Sequence, residues 1–167
     1  MPLANKLRAG STASRSWLSA WGYNSFGQFG NDTTTSSSSP VQVGNLSPWV
    51  NLSVGNNSAL ATKADGTLWT WGRNFNGELG DGTIVDKSSP VQIGALTDWD
   101  AGSISSHAAV VKTDGTLWAW GLNSAGQLGD GTTVDKSSPV QVGALTDWQK
   151  VALLVNATAA IKTDGTL

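Results

Sequence analysis

The sequence predicts an all-β protein made of β-propeller blades, each a sheet of four antiparallel strands. Two observations lead to this fold class. The first is an internal repeat of about 50 residues, and the second is an unusual composition, with nine Trp, 20 Gly and only 13% charged residues. Few Lys and Glu, together with many β-branched residues and glycines, favour short strands and tight turns over helices.

The repeat consists of three blocks that align almost without gaps. They read WGYNSFGQFG from Trp21, WGRNFNGELG from Trp71 and WGLNSAGQLG from Trp120, so the steps are 50 and 49 residues. A proline and a second tryptophan keep the same spacing in every block: Pro40, Pro90 and Pro139; Trp49, Trp99 and Trp148. A unit of this length cannot bury both its faces alone, and radial stacking of such units produces a propeller.

Within each period the pattern predicts four strands. In the middle of the chain these are SPVQIG, the weaker DAGSIS, then HAAVVK and TLWAWG. The first run opens with a proline, which suits the start of a strand. The last two are joined by Asp114-Gly115, a tight hairpin turn, since both residue types tolerate positive φ.

The repeat also divides the chain. Residues 17–167 form three blades, with permuted units at 18–67, 68–116 and 117–167, and residues 1–16 form a basic arm. The arm carries Lys6, Arg8 and Arg15 and no acid, and it lacks the apolar segment of a secretory signal. We expect it to be flexible; the alternative is an arm that lies on an acidic neighbour.

The recurring string WGxNxxGQLG, with the following PVQVG and KTDG segments, resembles the repeat of the regulator of chromosome condensation (RCC1) family. The resemblance covers residues 17–167. The family's Gly-rich CGxxHT segment is replaced here by VGNNSAL, SISSHAAV and LLVNATAA. The resemblance implies a scaffold that acts through loops on a propeller face, since family members include a nucleotide-exchange factor, a plant UV-B photoreceptor and a secreted bacterial inhibitor of β-lactamase.

Catalytic chemistry finds little support in the sequence. His107 is the single histidine and there is no cysteine, so neither a catalytic triad nor a zinc site is predicted. Glu78 stands where the other blocks have Gln, without an obvious carboxylate partner. Four recurring acids suit turn capping better than a calcium site: Asp81, Asp86, Asp130 and Asp135. We therefore expect no enzyme activity, no cofactor and no metal.

The tryptophans are predicted to be structural. Recurrence at the blade period indicates packing between blades for Trp21, Trp71 and Trp120 and for Trp49, Trp99 and Trp148. The clustered Trp-Arg motif of the photoreceptor is missing, which argues against light sensing.

Variation between the blocks indicates where a partner would bind. The glycines stay constant while neighbouring loop positions change, and this is typical either of a surface that presents different side chains or of neutral drift at exposed loop tips. If the surface is a contact face, the candidate anchors are Tyr23, Phe26, Arg73, Phe75 and Leu122.

Three blades are too few for a closed propeller, which has about 4–8. The terminal segments SWLSAWG and KTDGTL each carry half of a hairpin and complement each other. We expect a homo-oligomer in which Leu18 and Trp21 of one chain pair with the strand at Leu167 of another, so that two copies make a six-bladed ring. The alternative is that the chain is a segment of a longer propeller.

The sequence thus predicts a non-enzymatic scaffold that binds a protein partner or itself. A net charge of −2 gives no case for nucleic-acid binding, and no stretch has the roughly 18 apolar residues of a membrane span. Low charge and richness in Gly, Ser, Thr and Asn favour a phage virion or bacterial cell-surface setting. The alternative is a regulatory propeller of the nucleotide-exchange or inhibitor type.

Overall fold

The computed structural model describes residues 18–43 and 49–163, which contain twelve β-strands. The basic arm and Leu167 lie outside the described residues. The strands are β1 (Ser19–Gly22), β2 (Ser37–Gln42), β3 (Trp49–Val54), β4 (Ser58–Lys63), β5 (Leu68–Gly72), β6 (Lys87–Gln92), β7 (Trp99–Ile104), β8 (His107–Lys112), β9 (Leu117–Gly121), β10 (Lys136–Gln141), β11 (Trp148–Leu153) and β12 (Thr158–Lys162).

The strands form four antiparallel sheets in chain order. Two are complete, with four strands each: β3-β4-β5-β6 and β7-β8-β9-β10. The other two have two strands each, β1-β2 and β11-β12. By the repeat, β1-β2 corresponds to the last two strands of a complete sheet and β11-β12 to the first two. The described chain therefore holds two whole blades between two complementary half-blades.

Each outermost strand tolerates its proline. Pro90 lies in β6, where the pairing with β5 shifts register between Thr70 and Gly72. The equivalent strand β10 shows the same irregularity against β9. Proline lacks the N–H that a regular ladder needs, so an edge strand with a bulge is where it fits.

The tight hairpins use one left-handed residue rather than two. In the turn between β8 and β9, Gly115 N donates to Lys112 O at 2.9 Å, and Gly115 has φ of 79°. Asp114 keeps a negative φ, because among the described non-glycine residues only Asp32 has a positive one. Its carboxylate instead accepts the Thr116 N–H at 3.0 Å and the Thr116 hydroxyl at 2.7 Å. Asp is therefore used here for its oxygen atoms.

Adjacent sheets are joined by buried indoles. Trp71 and Trp120 are 1% and 0% exposed, and each donates its Nε1 to a backbone carbonyl of the preceding sheet's loop. Trp71 packs against Trp49, with ring centroids 5.8 Å apart, and Trp120 against Trp99 at 6.2 Å. Each buried indole removes roughly 150–250 Å² from water, which stabilises the junction by about 4–6 kcal/mol as an upper figure.

A lysine lies between tryptophans in each complete blade. Lys63 Nζ is 5.0 Å from the Trp49 ring and 3.7 Å from the Trp69 ring. Lys112 lies in the same way between Trp99 and Trp118. Such contacts contribute on the order of 0.5–2 kcal/mol each. Burial lowers the pKa of the Lys63 ammonium, against the opposing charge of Asp65.

Within the part of the chain that the structure describes, no helix is long and apolar enough to cross a membrane.

Candidate functional site

The loop that leaves each fourth strand is held by one buried asparagine. In the second block, Asn74 is 0% exposed and its Oδ1 accepts the Leu79 N–H at 2.9 Å. Its Nδ2 donates to the carbonyls of Thr83 and Val85, at 3.1 and 3.2 Å. Asn24 and Asn123 make equivalent bonds in the other two blocks. The recurring Asn of WGxNxxG thus fixes a loop that has no regular secondary structure.

The recurring acids hold the same loops. Asp81 Oδ1 accepts both the N–H and the hydroxyl of Thr83, at 3.0 and 2.7 Å, and Asp86 Oδ1 accepts Asn74 N at 2.7 Å. Lys87 Nζ lies 3.2 Å from Asp81 Oδ2. The hydrogen bonds from Thr83 and the charge of Lys87 hold the pKa of Asp81 below its ordinary value, despite its partial burial. No group of three potential metal ligands occurs among the residues that the structure describes.

Glu78 accepts the same loop hydrogen bond that a glutamine accepts in each of the other blocks. Its side chain is buried and its Oε2 accepts the Asn76 N–H at 2.7 Å. Gln28 and Gln127 accept the equivalent N–H groups of Phe26 and Ala125. Burial raises the pKa of the Glu78 carboxyl, opposed by these hydrogen bonds and by Arg73. The position is a support for the loop, because any of these acceptors serves it.

The loops of the first two blocks enclose a shallow cleft of about 430 Å³, here called the loop cleft. Phe75 is 73% exposed, and the Arg73 guanidinium carbon lies 5.5 Å from the centre of its ring. Arg73 Nη1 also lies 3.9 Å from Glu78 Oε1, and this ion pair orients the guanidinium. The residues that line the loop cleft are Phe26, Arg73, Phe75, Ile84, Val85 and Asp86.

Three of the five predicted anchors therefore meet in one place. Phe26 comes from the first block, while Arg73 and Phe75 come from the second. Tyr23 extends the surface, because its ring contacts Phe26 edge-on with centroids 6.2 Å apart and is 58% exposed. Leu122 occupies the same loop position one blade further on, is half-buried, and does not line the loop cleft.

Two apolar members of the loop cleft were missed by sequence reasoning, and a third member, Asp86, was predicted only as a turn-capping acid. Ile84 and Val85 are 68% and 60% exposed. The signal was present, because an Ile-Val pair inside a Gly-Asp-Thr loop is anomalous and the first block has two threonines there. Exposed apolar side chains that gather around an aromatic ring are a common feature of protein contact surfaces.

His107 is buried at the start of β8, and its imidazole is hydrogen-bonded to the next sheet. Its Nε2 lies 2.9 Å from Thr158 Oγ1, and that hydroxyl donates to Gln127 O at 2.7 Å. With its proton committed to Gln127, the hydroxyl accepts from His107, which places the imidazole proton on Nε2. Burial lowers the pKa of the imidazole, so the neutral ring is the stable form. It joins the second complete blade to the following half-blade.

The tryptophans that were predicted to be structural differ in how far they are buried. Trp71, Trp99 and Trp120 are buried, while Trp49 and Trp148 are half-buried. Trp21 differs from its repeat equivalents because it is 63% exposed. The prediction that it packs between blades therefore does not hold within this chain. Leu18 packs on the cluster around Trp71.

The sheets and their indole junctions define a class of protein: an all-β repeat protein built from four-stranded propeller blades. The regulator of chromosome condensation (RCC1) repeat matches three times, at residues 20–62, 65–108 and 114–161. A second model of that repeat matches residues 49–78. The chain belongs to the RCC1 repeat family.

Solved structures agree with the fold. Human WBSCR16 matches with a TM-score of 0.77 at 22% identity, over 90% of this chain and 41% of that one. Prp20p from Saccharomyces cerevisiae, studied for its binding to Gsp1p and histones, matches at 0.72 and 19% identity, over 89% and 40%. The structure of Kap60 bound to yeast RCC1 (Prp20) matches at 0.71 and 19%, over 87% and 38%. This chain thus spans about 40% of the length of these structures. No curated protein sequence matches closely enough to name a relative.

Proposed function

We propose that this chain is a non-enzymatic propeller scaffold that binds a protein partner through the loop cleft. The observation that carries the proposal is the exposed Phe75, which projects from a loop fixed by Asn74 and stands beside an oriented Arg73. Aromatic and arginine side chains dominate the energetics of protein contacts. A preformed loop adds to affinity because little order is lost on binding.

The chemistry of the loop cleft favours an apolar anchor on the partner. Phe26, Phe75, Ile84 and Val85 supply apolar surface, while Arg73 and Asp86 supply one charge of each sign at the edge. Arg73 already faces Glu78, which reduces its attraction for a second carboxylate. The expected ligand is therefore an aliphatic or aromatic side chain of a protein, flanked by hydrogen-bonding groups.

Immobilised wild-type chain tests this proposal when compared with two variants. Phe75→Ala is expected to lose the dominant captured protein, and Leu145→Ala, an exposed apolar residue outside the loop cleft, is expected to keep it. Cross-linking followed by mass spectrometry should place the captured protein on residues 23–26, 73–76 or 84–86. Equal capture by both variants would overturn the proposal.

The setting that we propose is a phage virion or a bacterial surface. Its support is the low content of charged residues and the Gly, Ser, Thr and Asn content of the sequence. A sequence with few charges and a net charge of −2 suits a structural component better than it suits a nucleic-acid binder.

A second proposal is a regulatory propeller, such as a nucleotide-exchange factor or an enzyme inhibitor, of which this chain is a segment. It is favoured by the structural likeness to Prp20p, whose binding to Gsp1p and histones has been studied. One dominant soluble partner that binds only a longer chain carrying further repeats would support this alternative over the scaffold.

A further inference from the structure

A groove between the two complete blades belongs to no site described so far and is here called the rim groove. Its volume is about 630 Å³, within the range of roughly 300–1,000 Å³ that small-ligand sites in proteins occupy. All of its lining residues lie between Gly80 and Pro139, so its walls belong to the two complete blades and to the loops that join their strands. It shares no lining residue with the loop cleft.

The apolar lining of the rim groove is held in place by contacts around Trp118. This indole donates its Nε1 to Thr116 Oγ1 at 2.9 Å and meets Trp99 edge-on, with ring centroids 6.1 Å apart. Lys112 Nζ lies 4.7 Å from the centre of the Trp118 ring. A fixed indole loses little order when a ligand packs against it. The apolar residues that line the groove are Val91, Ile93, Leu96, Trp99, Trp118 and Pro139.

Two polar side chains at the rim groove keep hydrogen-bond donors free. Lys87 Nζ lies 3.2 Å from Asp81 Oδ2, and an ammonium has three N–H groups, so others remain for a ligand. The hydroxyl of Ser138 has no hydrogen-bond partner among the residues that the structure describes. Because the charges of Lys87 and Asp81 offset each other, the groove suits a neutral ligand that supplies acceptors.

The preceding junction between sheets shows why the rim groove is open at Ser138. Asp32 stands at the repeat position of Gly82, and each donates its N–H to a serine carbonyl of the next sheet, at 2.9 and 2.7 Å. The Asp32 carboxylate also accepts the hydroxyl of Ser89, which is the repeat equivalent of Ser138. Gly82 has no side chain to do this, although a Cβ there would lie only 3.7 Å from Ser138 Oγ.

The outer strands beside the rim groove cannot recruit a ligand as an additional strand. Pro90 in β6 and Pro139 in β10 each lack an N–H, and both strands are irregular in register against their neighbours. An added strand needs a regular row of N–H and C=O groups along the sheet edge. The ligand of this groove is therefore recognised by side chains.

We propose that the rim groove binds a proline-rich peptide segment in the polyproline II conformation. Such a segment has no internal hydrogen bonds, and its prolines offer carbonyl acceptors without N–H donors. Trp118 and Leu96 supply the surface on which its rings pack, and Lys87 and Ser138 donate to its carbonyls. Aromatic-lined grooves bind proline-rich segments in this way, because the extended chain is already formed before it binds.

Fluorescence anisotropy with a fluorescein-labelled decaproline peptide and the purified chain tests this proposal. Wild type should bind the peptide saturably and should not bind a Gly-Ser peptide of equal length. Gly82→Asp should weaken binding at least about tenfold, because its carboxylate reaches Ser138 as Asp32 reaches Ser89. Gly131→Asp is the matched control, since its φ is 78° against 81° for Gly82 and open space surrounds it.

A second pair of variants tests the packing surface. Leu96 and Leu145 occupy the same repeat position and are 46% and 47% exposed, but of the two only Leu96 lines the rim groove. Leu96→Ala should weaken peptide binding about fivefold or more, and Leu145→Ala should leave it unchanged. Both side chains are exposed, so both variants should keep the Tm of wild type within about 3 °C.

Three results would overturn the proposal: no saturable binding of decaproline to wild type, equal losses in Gly82→Asp and Gly131→Asp, or equal binding by Leu96→Ala and Leu145→Ala. Binding of a neutral oligosaccharide such as maltohexaose, lost in Gly82→Asp while decaproline does not bind, would also overturn it and assign the groove to a glycan. None of these results bears on protein binding at the loop cleft, which Phe75→Ala tests.

Discussion

Asn74→Ala is expected to lower the free energy of unfolding by about 2–4 kcal/mol, far more than its place in an irregular loop suggests. The variant leaves the buried Leu79 N–H without the acceptor that lies 2.9 Å away, at a cost of about 1–3 kcal/mol. It also removes the donor shared by the Thr83 and Val85 carbonyls, at about 0.5–1.5 kcal/mol for a net bond. The loop between Phe75 and Asp86 then keeps its contacts through Asp81 and Glu78 but loses the side chain that ties Leu79 to Thr83 and Val85.

Thermal unfolding followed by tryptophan fluorescence, at one fixed protein concentration, measures this effect. A loss of 2–4 kcal/mol corresponds to a fall in Tm of about 5–15 °C for a chain of this size. Asn76→Ala is the matched control, since it removes the same side chain two residues along the loop and should stay within about 0.5 kcal/mol of wild type. Equal losses in the two variants would refute the clamp role of Asn74.

Three further predictions concern groups between the blades. Burial raises the pKa of Glu78, so the folded chain binds the carboxyl proton more strongly than the unfolded chain, and the free energy of unfolding falls as pH rises above about 4.5. Glu78→Gln should remove this decline and raise Tm at pH 7. A pH profile that is unchanged in Glu78→Gln would count against this role of Glu78. Burial lowers the pKa of His107, so stability should fall as pH drops below about 6.5, and His107→Ser should flatten that limb in urea titrations at several pH values. Gly80→Ala should cost about 2–4 kcal/mol through strain at φ of 75° and a clash with Trp120, while Gly94→Ala, at φ of 62° in open space, should cost about 1 kcal/mol; equal costs in denaturant melts would contradict the indole-glycine junction.

The strands of this fold could be predicted from the sequence because Asp-Gly turns and Trp-Gly steps recur in phase, and the period of about 50 residues fixes the blade. The prediction that the outermost strand opens at its proline was wrong: β6 begins at Lys87 and Pro90 is its fourth residue, because a bulged edge strand can hold a residue without an N–H. The turn geometry was harder to predict. Asp114 and Gly115 suit a hairpin in either of two ways, and only the backbone angles show that glycine alone takes the left-handed conformation.

The loop cleft was predictable in part. Variation between blocks pointed to Phe26, Arg73 and Phe75 as candidate anchors, and the structure brings these three residues to one cleft; their role in binding stays a prediction. It missed Ile84 and Val85, because their approach to Phe75 depends on how Asn74 folds the loop back over nine to eleven residues. Hydrogen bonds of that kind leave no periodic trace in a sequence. The contact of Lys63 with two tryptophans was not predicted either, because Lys63 is 14 residues from Trp49 along the chain and only the folded sheet brings them together.

The central claim is that the loop cleft binds a protein partner through the exposed ring of Phe75. Capture on the immobilised chain, compared among wild type, Phe75→Ala and Leu145→Ala, tests it most directly. The account predicts that Phe75→Ala loses the captured protein while Leu145→Ala, an exposed apolar site outside the loop cleft, retains it. Equal capture by the two variants would contradict it.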